Sequence, residues 1–179
     1  MIKYLQLIFD FKQKKNIGIS FLVFVIAILT KNISQQIISI KFRNTDIFIF
    51  IVNSLVDIIL LSLILIFYIA WIHFLTNIFD KYGDVKITVS LFGLSSCVFL
   101  LLLPFSLIYT VFFSNPNFFY YLTFLILCVF YIFIIFKNIK VNYSLNNMEL
   151  CLILLSPLII LPSLIITFLI AVVFFTLNL

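Results

Sequence analysis

Long apolar runs alternate with short polar breaks along this chain, and the alternation predicts its elements. Ile17–Thr30 is apolar but only about 14 residues long, against roughly 20 needed to cross hydrocarbon. Continuation through Ile33, Ile37, Ile38 and Ile40 makes it a first span, provided that Lys31 snorkels or meets a polar partner. Lys41–Asp46 is a polar break. Ile47–Ile78 then runs as roughly 48 Å of helix, so it tilts or carries its last turns into water. A charged turn, Asp80–Lys86, leads into Ile87–Phe113, where Pro104 predicts a kink and a carbonyl left for neighbours to satisfy. Ser114–Asn117, with Pro116, is a tight turn before the fourth run, Phe118–Phe136. Lys137–Asn147 reads as a polar turn, and Leu150–Leu177, broken by Pro157 and Pro162, as the last run.

The pattern predicts an all-α integral membrane protein, a bundle of five transmembrane helices with its termini on opposite sides. Segments on the N-terminal side hold Lys3, Lys12, Lys14, Lys15, Lys81, Lys86, Lys137 and Lys140, and those on the other side hold Lys31, Lys41 and Arg43. Cytoplasmic loops favour Lys and Arg, so the N-terminus is expected inside and the C-terminus outside. Residues 1–16 form a basic N-terminal segment, either a frayed end or an interfacial helix with Tyr4, Leu5, Ile8 and Phe9 towards lipid. Its basic start and short apolar core also resemble a signal peptide, but Lys31 and Asn32 follow in place of a small-residue cleavage site. Residues 17–179 form the transmembrane domain.

Composition strengthens this picture. The chain is 65% hydrophobic and 9% charged, against about 25% charged in soluble domains. A net charge of +5 suits anionic headgroups at span ends, and basic residues are not interleaved with aromatics on a polar surface, so nucleic acid is not an expected partner. Heavy use of Ile, Phe, Asn and Lys is typical of AT-rich coding and weakens any functional reading of the 24 phenylalanines. Cys97, Cys128 and Cys151 fall in apolar runs and read as small buried thiols.

Asp57 is the most informative single residue. A carboxylate this deep costs at least a few kcal/mol unless it faces protein or water, or is protonated. Asn53 and Ser54 lie about one turn before it, so the three form a candidate polar face, either a helix-to-helix glue or a proton or ion relay. Tyr68 and Trp71 mark the membrane interface near the charged turn, with His73 beside them. His73 reads as an interfacial side chain satisfied by polar neighbours, with proton shuttling as the alternative. No His/Cys/Asp cluster has metal-ligand spacing, and no catalytic set or cofactor-binding loop is visible. Glu149, three residues after Asn146, reads as part of a helix start. Asp80 and Asp84, interleaved with Lys81 and Lys86, read as a solvated, charge-balanced turn.

The segment from Trp71 through Asp80-Lys-Tyr-Gly-Asp-Val-Lys86, followed by Phe92-Gly-Leu-Ser-Ser96 and Pro104, resembles the Yip (Ypt/Rab-interacting protein) family. Gly83 matches that family's turn, Gly93 and Ser95 match its Gly-Tyr-Ser-like motif with Leu94 in place of the aromatic, and Pro104 matches its downstream proline. Tyr143–Leu150 is similar to the connection into its last span, although Glu149 stands where a small residue is usual. The resemblance covers roughly Ile47–Leu169. It implies five helices, an inner N-terminus and no known catalytic residues. Eukaryotic members act in vesicle traffic with small GTPases and carry a longer soluble N-terminal region. With the AT-rich bias, the resemblance points to a bacterial inner-membrane member.

The functional expectation is a non-enzymatic polytopic protein, a scaffold or accessory subunit acting through lateral contacts. Its partners would be the lipid bilayer and other membrane proteins or a second copy of itself, with no cofactor. The alternative is a transporter or permease-like subunit using the face around Asp57, because transporters place sites at broken helices near the midplane.

Overall fold

The computed structural model describes residues 16–39, 47–113, 115–157 and Ile166. Every regular element among them is a helix. The helices are α1 (Ile17–Ile38), α2 (Ile47–Ile78), α3 (Val85–Phe112), α4 (Pro116–Asn142) and the shorter α5 (Asn147–Pro157). The first four are long and apolar enough to cross a membrane. The basic segment at 1–15, the break at 41–46 and the stretch carrying Pro162 lie outside the described residues, as does the far end of the predicted fifth span.

Each helix end follows from local chemistry. Asn16 caps α1, its side-chain oxygen accepting the Ile19 amide at 3.3 Å. Asp84 caps α3 through the Lys86 amide at 2.8 Å. Pro116 sits in the first turn of α4, where a missing N–H costs nothing. At α5 the Asn146 amide donates to Glu149 at 2.8 Å, the carboxylate half of a capping box, so Glu149 is part of a helix start as expected. The C-terminal ends of α2 and α4 are built alike. Lys81 N–H reaches back to the Thr76 carbonyl and Leu145 N–H to the Lys140 carbonyl, with Asp80 (φ 54°) and Ser144 (φ 52°) in the left-handed region. Glycine usually takes that position. Here Gly83 has a different task.

One expectation is corrected and a second gains detail. The fourth helix continues through Lys137 and Lys140 to Asn142, so the polar turn shrinks to residues 143–146. Lysine is a good helix former, and the helix stops only where Ser144 leaves helical geometry. The third helix tightens into a 3-10 turn over Ser96–Leu101, ahead of Pro104. Pro104 cannot donate to the Leu100 carbonyl, and the conformation changes in the turns leading up to it.

Packing centres on α1 and α3, which run in the same direction. Ser20 of α1 lies against Gly93, and Ile38 of α1 meets Val98 and Leu102 of α3 with Tyr120 and Leu127 of α4. A second cluster joins Ile69 and Ile72 of α2, Phe92 of α3, Ile135 and Ile139 of α4, and Tyr143, Leu150, Ile153 and Leu154. Along the 32 residues of α2, only Ser54, Ile69, Ile72 and Thr76 are buried.

Candidate functional site

The polar face predicted on α2 does converge on a partner, and the partner is α1. Lys31 Nζ lies 3.5 Å from Asp57 Oδ2, with the two side chains 31% and 41% exposed. One residue further along α1, Asn32 donates from its side-chain amide to the hydroxyl of Ser54 at 3.3 Å. Tyr120 of α4 donates to the Lys31 carbonyl at 3.3 Å, bringing a third helix to the same level. Ser54 is buried and Asn53 is exposed, so the expected face splits: Ser54 and Asp57 meet α1 and Asn53 looks outward. Lys31, counted above among loop charges, sits within α1 and faces Asp57. Spacing within α2 alone could not show this. The available signal was a lysine and an asparagine side by side in the last turns of an apolar run.

The other end of α2 is also tied by polar groups. Tyr68 donates to the Leu154 carbonyl at 2.9 Å, and the Trp71 indole donates to Ser156 Oγ at 3.0 Å. Ser156 in turn donates to the Ile153 carbonyl, the group that Pro157 leaves without its helical donor. Trp71 therefore bonds a second helix. His73 departs from expectation: its ring stands 6.3 Å from that of Tyr143, and its buried Nδ1 has no hydrogen-bond partner among the described residues.

The turn after α2 is a structural node. Tyr143 is fully buried, and its hydroxyl accepts from Thr88 at 3.1 Å. The Asn142 amide donates to the Asp84 carbonyl at 3.1 Å and to Thr88 Oγ1 at 3.0 Å. Burial pushes the Tyr143 phenol above its ordinary pKa; the Thr88 hydrogen bond opposes this and the Asp84 charge adds to it. Gly83 lies under the Tyr143 ring, where a Cβ would collide with ring carbons. Its glycine is needed for space and not for a positive φ. Lys81 approaches Glu149 at 4.0 Å across the same node. Asp84 is thus a helix cap, more than a solvated charge.

Of the remaining motif positions, Gly93 touches α1: a Cβ there would stand 2.5 Å from the Ser20 carbonyl oxygen. Ser95 is fully buried two residues on, and Pro104 is exposed on the far half of α3. Cys97 and Cys128 are half-buried, while Cys151 is exposed, which corrects the expectation of three buried thiols. Cys151 simply lies on the outward side of α5. Among the described residues, no group of three or more His, Cys, Asp or Glu could hold a metal ion.

Four helices of membrane length with apolar outer surfaces make this an all-α membrane protein. No family model, no curated protein and no solved structure matches the chain.

Proposed function

We propose that the chain is a five-span protein of a bacterial cytoplasmic membrane, N-terminus inside and C-terminus outside, that acts without catalysis through lateral contacts with other membrane proteins. The observation that carries this reading is α2. It is exposed along most of its length, and beside that surface sits an ion pair whose side chains are 31% and 41% exposed. Lipid is a poor solvent for a half-open ion pair, and a partner helix bearing polar groups would cover it. Membership of the Yip family is part of the same proposal. It draws support from Gly83 and Gly93, motif positions that both stand where a Cβ has no room.

Single cysteines placed in a cysteine-free chain at Leu55, Val56 and Leu60 test the reading by crosslinking in native membranes. Discrete adducts to one partner, or to a second copy, at the positions beside Asp57 are expected. A chain that stays monomeric in mild detergent and gives no adduct at any of the three positions would overturn it.

The transport alternative has weaker support, because the Asp57 carboxylate is engaged by Lys31. A pH-dependent flux in proteoliposomes that Asp57→Asn abolishes would reverse the order of the two readings.

A further inference from the structure

Between its two tethers, α2 stands away from α1. One tether is the Lys31–Asp57 and Asn32–Ser54 contact, and the other is the packing of Ile69, Ile72 and Thr76 near the turn. Along α2 from Ser62 to Asn77 runs a crevice of about 660 Å³, walled by α1, α2 and α3. That volume lies within the roughly 300–1,000 Å³ of ordinary ligand sites. Its walls are apolar, with Phe21 and Phe24 from α1, Leu65 and Ile69 from α2, and Val89 from α3.

Polar groups occur at defined places in it. His73 and Asn77 line the end next to the turn, together with the first residues of α1 and α3. Ser62 lines the other end, 11 residues earlier and so roughly 16 Å deeper along α2. Both His73 Nδ1 and Ser62 Oγ are buried without a hydrogen-bond partner among the described residues. Neither atom presents surface to the crevice, so what an occupant meets is the lining: apolar walls, with His73 and Asn77 at one end.

We propose that this crevice binds one acyl chain of a membrane amphiphile, with the oxygen-bearing head at His73 and Asn77 and the hydrocarbon running inward past Leu65 towards Ser62. A wholly apolar occupant would set hydrocarbon against Asn77 and the His73 side chain at the turn end. A helix would be too wide: at about 10–12 Å across with its side chains, it could not enter without parting α2 from α1 at Lys31. A free fatty acid and a phospholipid are two sources of the same chemistry, since both present a carboxyl-derived oxygen above an alkyl chain. The proposal does not rest on the lateral-contact reading: crosslinks to a partner and saturable lipid labelling are separate readouts.

The test is photolabelling of the full chain in nanodiscs with a diazirine-bearing fatty acid and, separately, with a phosphatidylglycerol carrying the same diazirine chain. Saturable adducts on the peptides holding Phe21, Leu65 and Phe74 are expected with at least one probe, and the probe that is competed by its unlabelled form identifies the source. Ala70→Trp, which fills the mouth, should cut labelling about tenfold, while Ile64→Trp on the outward face leaves it unchanged. His73→Phe, which keeps the volume, should weaken competition by the headed lipid and leave labelling by a plain alkyl diazirine unaltered. Non-saturable labelling spread evenly over Ile47–Ile64 overturns the proposal. So does a crosslink from a photoreactive residue at position 74 to residues 1–15 in place of lipid, which would make the occupant the chain's own N-terminal segment.

Discussion

The α1–α3 seam and the α2 contacts solve the same problem in opposite ways. In lipid there is little hydrophobic force between helices, so they associate through close packing and polar bonds. The seam uses packing. Ser20, Ala27 and Ser34 of α1 and Gly93, Ser95 and Ser96 of α3 are small and buried, and the two backbones approach closely at Ser20 and Gly93. Helix α2 has few buried residues and is held at separate points by Lys31–Asp57, Asn32–Ser54, Tyr68–Leu154 and Trp71–Ser156. A shape-matched seam leaves no space for anything else. A point-tethered helix leaves one face open and a crevice behind it.

The largest effect should come from breaking the seam. Gly93→Val sets side-chain carbons against the backbone of Ser20, which cannot move aside. A loss of about 3 kcal/mol is expected, at the upper end of overpacking penalties. Steric-trap unfolding in micelles or bicelles measures it, and a loss below about 1 kcal/mol would show that the seam gives way easily.

Next in size is the outer tether. Asp57→Leu leaves Lys31 without its partner, for an expected cost of about 2 kcal/mol, less than the 3–5 of a fully buried pair because both groups are partly open. The double variant Lys31→Met/Asp57→Leu should be more stable than Asp57→Leu alone, since no unpaired charge remains. The same unfolding assay compares them, and a double variant no more stable than Asp57→Leu would show that a stranded Lys31 charge is not what the single change costs.

Gly83→Ala asks whether shape also governs the turn. The obstacle there is the Tyr143 ring, a side chain that can shift, so about 1 kcal/mol is expected, less than at Gly93. An unchanged unfolding midpoint would mean that Tyr143 has room to move.

Hydrophobic run length places the long helices: the predicted second span coincides with α2, and the first and third differ from α1 and α3 by a few residues. Boundaries set by backbone conformation were hidden, because left-handed Asp80 and Ser144 carry no such mark in the sequence. Asp57 stood out because a lone carboxylate inside an apolar run is costly. The sequence asks Lys31 to snorkel or to meet a polar partner, but does not pair it with Asp57, 26 residues away. Gly93 could be singled out by motif, but only the position of α1 explains why a side chain has no room there. The crevice could not be read at all, because it depends on where α2 fails to touch α1.

The smallest effect expected is at Trp71. Its indole N–H donates to Ser156, and Trp71→Phe removes that donor while keeping an aromatic ring beside Phe67 and Phe74. Hydrogen bonds between membrane helices average about 0.6 kcal/mol, because the dissociated helices find other partners. Ser156 retains its own bond to the Ile153 carbonyl, so no buried donor is stranded by the change. A double-mutant cycle of Trp71→Phe with Ser156→Ala should therefore give a coupling near that average. A coupling of about 2 kcal/mol or more would place Trp71 among the main supports of α2 and narrow the contrast with the seam.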